Sequence, residues 1–199
     1  MKKTILAATT NPGKVKEIKE ILSCFEVISL KEAGIDTDVE ENGTTFSENA
    51  YIKASEIARL TDLPVLADDS GLEIKALDGR PGVYSARYAG EDTPYNEKVK
   101  KLIEELDKTN SEDRSAQFAC AVCMIFPDGR RIDAEGFSCP GILLDSPRGE
   151  NGFGYDPYFY STEHKKTFSE MTMEEKNEVS HRKAALVALL NKLKGEFDI

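Results

Sequence analysis

No stretch of this 199-residue sequence approaches the ~20 consecutive apolar residues that a membrane-spanning helix requires, so no membrane role is expected. The apolar run behind Met1-Lys2-Lys3 covers only Ile5 to Ala8, too short for the core of a signal peptide. Positive charge is also scarce. Lys and Arg number 26 against 36 Asp and Glu, a formal net charge of −10. That balance argues against nucleic acid held on a broad basic face, because phosphate affinity is built from Lys and Arg. It leaves room for one small phosphate ligand, provided a cation intervenes. Cysteine is sparse, and paired zinc ligands are missing. Cys120 and Cys123 have a Cys-x-x-Cys spacing, but they lie in the apolar run Phe118 to Phe126, where residues three apart on a strand face opposite sides. The other candidates, Cys24, Cys139, His164 and His181, are scattered, so Cys120 and Cys123 are expected to be core residues and all four cysteines reduced thiols of a cytoplasmic protein. Repeats, low-complexity runs and linkers are lacking as well. The length predicts one domain over 1–199, built as two tightly joined lobes.

What is present reads first as strand, turn and helix. Thr4 to Ala8 is short and apolar, and Asn11 then caps a helix with Pro12 in its first turn. Val15, Ile18, Ile21 and Leu22 follow at helical spacing. A brief strand, Phe25 to Ser29, leads to an acidic loop with Asp36, Asp38, Glu40 and Glu41. Thr45 and Glu48 form a capping box for a helix reaching about Leu60. Pro64 to Ala67 reads as a strand that stops at Asp68-Asp69-Ser70-Gly71, with a second short strand from Leu72 to Ile74. Pro94 to Leu106 is an amphipathic helix. Ala116 to Phe126 and Arg131 to Ser138 flank Pro127-Asp128-Gly129-Arg130, a hairpin turn. Pro140 to Tyr160 is rich in Gly and Pro. Thr172 and Glu175 make a second capping box, and a last helix runs from about Ser180 to Lys194. Helices and strands alternate early and a hairpin comes late, so the expected class is α/β with a mixed sheet.

The chemistry concentrates in a few places. Asp68 and Asp69 stand at the C-terminal end of the expected strand, where open α/β sheets form ligand crevices, and a turn at Ser70-Gly71 would let them converge. Such carboxylates suit Mg²⁺, a hard cation that shares oxygen ligands with substrate phosphates. A solvated turn is the plainer alternative. Glu40 and Glu41 supply a second acidic cluster before a capped helix. Lys14 follows Thr10-Asn11-Pro12-Gly13, where N–H groups at a helix start can cradle a phosphate, although the P-loop pattern is absent. Lys53 lies mid-helix. His181 and Arg182 open the last helix, where cations oppose the helix dipole unless an anion or an electron-rich base edge meets them. Glycines on both sides of Phe153 would let a flat ring lie against it, and Asp156 can accept hydrogen bonds from ring N–H groups. Tyr84 to Tyr88 reads as a loop or an interface.

Taken in order, six segments say more: Thr9 to Lys14, Glu41 to Ala50, Ala67 to Leu72, Gly79 to Tyr88, Gly152 to Pro157, and Glu175-Lys176-Asn177 with Ser180-His181-Arg182. This set closely resembles the inosine/xanthosine triphosphate pyrophosphatase family, from Thr9 to Lys183. The resemblance implies an elongated mixed-sheet α/β fold with flanking helices and two lobes around a central nucleotide-binding cleft, in a homodimer. It implies Mg²⁺-dependent hydrolysis of ITP, dITP and XTP to the monophosphate and pyrophosphate, cleansing the nucleotide pool. Carried over, Thr9, Thr10, Asn11, Pro12, Gly13 and Lys14 form the phosphate loop, and Lys14 and Lys53 pair with the triphosphate. Glu41 and Asp69 hold Mg²⁺, Asp69 is also the general base, Asp68 supports it, and Ser70 touches substrate. Phe153, Gly154, Tyr155 and Asp156 pack against and orient the base; Lys176, His181 and Arg182 read its 6-oxo edge. Family members often carry Gly where Thr10 stands, and the spacing to Gly43 favours Glu41 over Glu40 as the ligand. Two other readings remain open at this point: a nucleotide-binding regulator without turnover, and a hydrolase of modified pyrimidine nucleotides.

Overall fold

A computed structural model of the protein describes residues 2–37 and 39–194; Asp38 of the acidic loop lies outside the described residues. The element order is β1 (Thr4–Ala7), α1 (Pro12–Ile21), β2 (Glu26–Ser29), α2 (Phe46–Ala58), β3 (Val65–Ile74), α3 (Tyr95–Lys108), β4 (Ser115–Ile125), β5 (Arg131–Phe137), β6 (Gly141–Leu143), β7 (Phe159–Ser161), β8 (Lys166–Thr167), α4 (Met173–Val179) and α5 (His181–Leu193). No helix among the described residues is long and apolar enough to cross a membrane.

The helix starts form where the sequence places them. Asn11 accepts from the N–H groups of Gly13 and Lys14 at 2.9 and 3.2 Å and begins α1. The Thr45–Glu48 box is reciprocal at α2, and the Thr172–Glu175 box at α4. Each box satisfies N–H groups that a helix end otherwise leaves without partners. Thr45→Ala should therefore lower stability by about 1 kcal/mol, read as a shift of the urea midpoint with an unchanged slope; no shift would mean that Glu48 alone caps the helix.

The strands follow the order β2-β1-β3-β4-β6-β7-β8, with β5 paired to β4. β1 runs parallel to β2, Ile5 opposite Val27, and parallel to β3, Leu6 opposite Val65. β6 is antiparallel to both β4 and β7, and β8 is antiparallel to β7, so the sheet is mixed and the class is α/β as expected. The chain divides into two compact units. One holds the described residues of Met1–Asp69, Cys120–Gly136 and Arg182–Ile199; the other holds Ser70–Ala119 and Phe137–His181.

In the first unit the period-two alternation of β1 sorts its core into two clusters. Ile5 and Ala7 pack with Ile18 and Leu22 near α1 and with Leu186, Leu189 and Leu193 of α5. Leu6 and Ala8 pack with Ala50, Ala54 and Ile57 of α2. Cys120 belongs to the first cluster and Cys123 to the second, which is the opposite-face arrangement expected of a strand. Burial pushes both thiols up to about 12, so both are protonated at neutral pH. In the second unit Leu72 and Ile74 of β3 pack with Val99, Leu102 and Leu106 of α3 and with Phe118, Phe159 and Phe168. Phe159 and Phe168 meet edge to face, their centroids 4.6 Å apart.

Two expectations need correcting. Asp68 to Gly71 is not a turn between two strands: β3 runs unbroken from Val65 to Ile74. The two carboxylates sit inside a strand because helices on either side supply polar and cationic partners, so their burial is compensated. The stretch rich in Gly and Pro also contains β6 and the start of β7, whose short runs the sequence pattern did not separate from loop.

Candidate active site

Since β3 is continuous, adjacent side chains leave it on opposite faces, and Asp68 and Asp69 diverge. Asp68 is 1 % exposed. Its Oδ2 lies 3.1 Å from the Lys14 ammonium, contributed by the first turn of α1. The same oxygen accepts from Arg182 Nε at 3.1 Å and Nη2 at 3.0 Å. Burial on its own would raise this carboxyl, but Lys14, Arg182 and Lys53 together outweigh it and hold it well below the usual carboxylate range. Arg182, also 1 % exposed, gives its Nη1 to the carboxylate of Glu17 on α1. The Arg182 cation at the start of α5 thus finds its compensating anions within the protein. The sequence expectation put Arg182 on a substrate base; the structure turns its guanidinium to Asp68 and Glu17.

Asp69 faces α2, and its Oδ2 accepts from Asn49 Nδ2 at 2.9 Å. Burial raises its carboxyl, Lys14 pulls it down, and the repulsion of Glu41 adds to burial, so that it is pushed up to about 6. Lys53, one helical turn after Asn49, donates to the Asp68 carbonyl at 3.0 Å and meets Glu41 Oε1 at 2.6 Å. Burial opposes the charge of Lys53, but Glu41, Asp68 and Asp69 outweigh it and keep the ammonium above the ordinary lysine value. Five expected residues of the first unit, Lys14, Glu41, Lys53, Asp68 and Asp69, are therefore one electrostatic network. Thr9 and Asn11 adjoin it through the loop: Thr9 Oγ1 accepts from the Asn11 N–H at 3.2 Å. The N–H groups of Gly13 and Lys14, expected to cradle a phosphate, are instead given to Asn11 Oδ1, because Asn11 caps the helix. Thr10 is exposed beside them.

The donor set bears on a metal. Glu41 and Asp69 offer carboxylate oxygens, and the Lys53 ammonium already occupies a cation's place beside Glu41. The second oxygen of Asp68, Oδ1, is buried without a hydrogen-bond partner. All-oxygen donors of this kind fit a hard cation such as Mg²⁺ that completes its shell with water and phosphate. Among the described residues no three His, Cys, Asp or Glu side chains are grouped as a metal cage.

The second unit carries the other expected residues. Asp156 is 3 % exposed and accepts from the Phe153 N–H at 2.9 Å and from Lys176 Nζ at 2.7 Å. Lys176 also sits 4.8 Å from the centroid of the Phe153 ring. Gly152 has φ +77°, and a Cβ there would run into the Asp156 carboxylate, so the turn needs glycine at that position. Gly154 and Tyr155 complete the turn. His181 is 4 % exposed, its ring stacked on Phe118 at 4.8 Å. Ser70 opens this unit on β3, directly after Asp69.

A family model for the Ham1 family matches residues 5–192. The chain belongs to the Ham1 family. It is 51 % identical to a Clostridium perfringens protein named dITP/XTP pyrophosphatase, over 98 % of both chains. A Bacillus subtilis protein of the same name is 48 % identical, over 95 % of this chain and 96 % of its own. Among solved structures, the Staphylococcus aureus Ham1 protein is 43 % identical and superposes with a TM-score of 0.85, covering 98 % of this chain and 100 % of that one. A Mycobacterium abscessus nucleoside-triphosphatase, dITP/XTP pyrophosphatase, is 39 % identical with a TM-score of 0.72, over 94 % and 98 %.

Sequence reasoning passed over two residues of this Ham1 chain that the geometry brings forward. Glu17 is 2 % exposed next to Ile18 on α1 and anchors Arg182; a charged residue beside the apolar stripe of α1 was its only signal. Asn49 is wholly buried one position before Ala50, and an amide amid a row of buried alanines was the corresponding cue.

Proposed function

We infer that this chain is a nucleoside triphosphate pyrophosphatase that hydrolyses non-standard purine nucleotides, as the names of its relatives indicate for them. We further propose that ITP, dITP and XTP are cleaved to the monophosphate and pyrophosphate with Mg²⁺. The observation that carries the reading is the network around β3. Two lysines and three carboxylates, all largely buried, converge there, and one carboxyl is moved towards neutrality. Clustered charge of that kind is costly unless it serves a ligand or reaction.

Glu41 and Asp69 would hold Mg²⁺, which when bound supplies positive charge to phosphate oxygens and makes its water more acidic. Lys14 and Lys53 neutralise charge on the phosphoryl oxygens, the main demand of phosphoryl transfer. Asp69 accepts the proton of the attacking water. Asp68 remains ionised and keeps Lys14 in place, and Arg182 with Glu17 fixes Asp68 in turn. In the second unit the Phe153 ring offers a face for a purine. Lys176, held by Asp156, offers donors to a 6-oxo group. Adenine presents a 6-amino donor there and would leave those donors unpaired, which supports discrimination of ~10⁴ or more. The same reading includes a homodimer in the cytoplasm.

A panel of triphosphates with product identification tests it. ITP, dITP and XTP should be turned over far faster than ATP, with pyrophosphate as the product. Equal turnover of ATP and ITP, or release of orthophosphate instead, would sink the reading.

A further inference from the structure

Among the described residues, Lys98 is the one fully buried lysine that the reaction above leaves without a task. It lies on α3 in the second unit, 1 % exposed. Its ammonium donates to the carbonyl of Ala86 and lies 3.5 Å from that of Glu91, and it stands 5.0 Å from the centroid of the Tyr95 ring. Burial pulls its charge down, with Glu91 and Asp92 opposing. Burying an ammonium among carbonyls is expensive, and a lysine placed only to pack would serve better as methionine. Two turns further along α3, Glu105 accepts from the Arg80 guanidinium and from the Tyr88 hydroxyl. The helix therefore grips the segment 80–91 at two points.

That segment is tied in turn to the base-facing residues. Ser85 Oγ donates to the Gly82 carbonyl at 2.6 Å and accepts from the Leu72 N–H of β3 at 2.9 Å. The Ser85 carbonyl accepts the Tyr155 hydroxyl at 3.0 Å. Tyr155, 3 % exposed, also meets Tyr95 edge to face with centroids 4.8 Å apart. Lys98 thus reaches Tyr155 by two routes, through Ala86 and Ser85 and through Tyr95. Tyr155 sits inside the turn whose Phe153 N–H and Asp156 carboxylate close on each other and whose Asp156 holds Lys176.

We propose that Lys98 is a positioning residue for the Phe153–Asp156 turn, acting through the Ala86–Ser85 backbone and Tyr155 to set the base-recognition face of the enzyme. The kinetic part rests on the function proposed above; the structural part does not. The test uses K98M, which keeps the side-chain volume, with Y155F and the double variant on the full chain. Hydrogen exchange followed by mass spectrometry reads the peptides covering 150–158. K98M and Y155F should each speed exchange there, with peptides of α1 unchanged. The double variant should be little worse than the stronger single one, because both break one linkage. Each should raise the KM for ITP about three- to tenfold, the worth of roughly one hydrogen bond, with kcat nearly unchanged; K98R, which keeps the donors, should recover part of the loss. Unchanged exchange at 150–158 in Y155F overturns the proposal, even if K98M fails to fold. Additive effects of K98M and Y155F overturn it too, since a purely structural lysine would give them. Faster exchange at 150–158 with KM unmoved upholds the positioning and counts against the base-binding role given to the turn.

Discussion

Asp69→Asn should cut the turnover of ITP by a factor of ~10² to 10⁴, the usual contribution of a positioned general base. Nucleotide affinity should stay within a few-fold of the parent. The substitution is nearly isosteric, and the amide oxygen can still accept from Asn49, which now bonds Asp69 Oδ2 at 2.9 Å. Folding is therefore little disturbed, and the change falls on the group able to take a proton. Asn49→Ala makes the complementary case, since it frees the carboxylate without removing it. Single-turnover rates with the two variants, beside equilibrium binding of a non-hydrolysable triphosphate, separate base loss from binding loss. Full turnover by Asp69→Asn would remove Asp69 from the base role, and loss of binding in proportion to rate would make it a ligand anchor only.

The second large effect concerns stability. Arg182→Met should cost about 3 to 5 kcal/mol, because removing one partner of a buried ionic group leaves uncompensated charge behind. Here two buried carboxylates would lose their guanidinium partner, Asp68 at 1 % exposure, left to Lys14, and Glu17 at 2 %. The Glu17→Gln, Arg182→Met double variant should lose less than the two single losses added together, since the first change removes part of what the second strands. Denaturant unfolding gives both numbers. Equal additive losses would mean that Glu17 and Arg182 contribute independently, and the chain Glu17–Arg182–Asp68–Lys14 would not be the unit described above.

Much of the architecture was legible from end signals and periodicity. Asn11, Thr45 and Thr172 announce three helices by local chemistry that acts within four residues, so no tertiary information was needed. The break expected at Asp68 was wrong for the opposite reason. Two adjacent acids are poor strand formers taken alone, and only the lysine, arginine and asparagine arriving from α1, α5 and α2 make them tolerable inside β3. Those partners lie as far as 114 residues away in sequence, out of reach of any local rule. Arg182 shows the same limit. The sequence correctly marks a cation that needs an anion at a helix start but does not say whether the anion is ligand or protein. Lys98 is silent altogether, because nothing in an amphipathic helix rich in lysine distinguishes the one that turns inward.

The unbroken course of β3 sets how this gene can change. Loops such as the one between α3 and β4 begin and end at element termini and can gain or lose residues without moving what they join. Between Leu66 and Asp68 a single inserted or deleted residue would exchange the faces of everything beyond it. The carboxylate now beside Lys14 would be presented to Asn49, and the other to Arg182. Substitutions can be sampled there one at a time, but changes of length cannot, so the spacing of the paired acids should be as constrained as their identity.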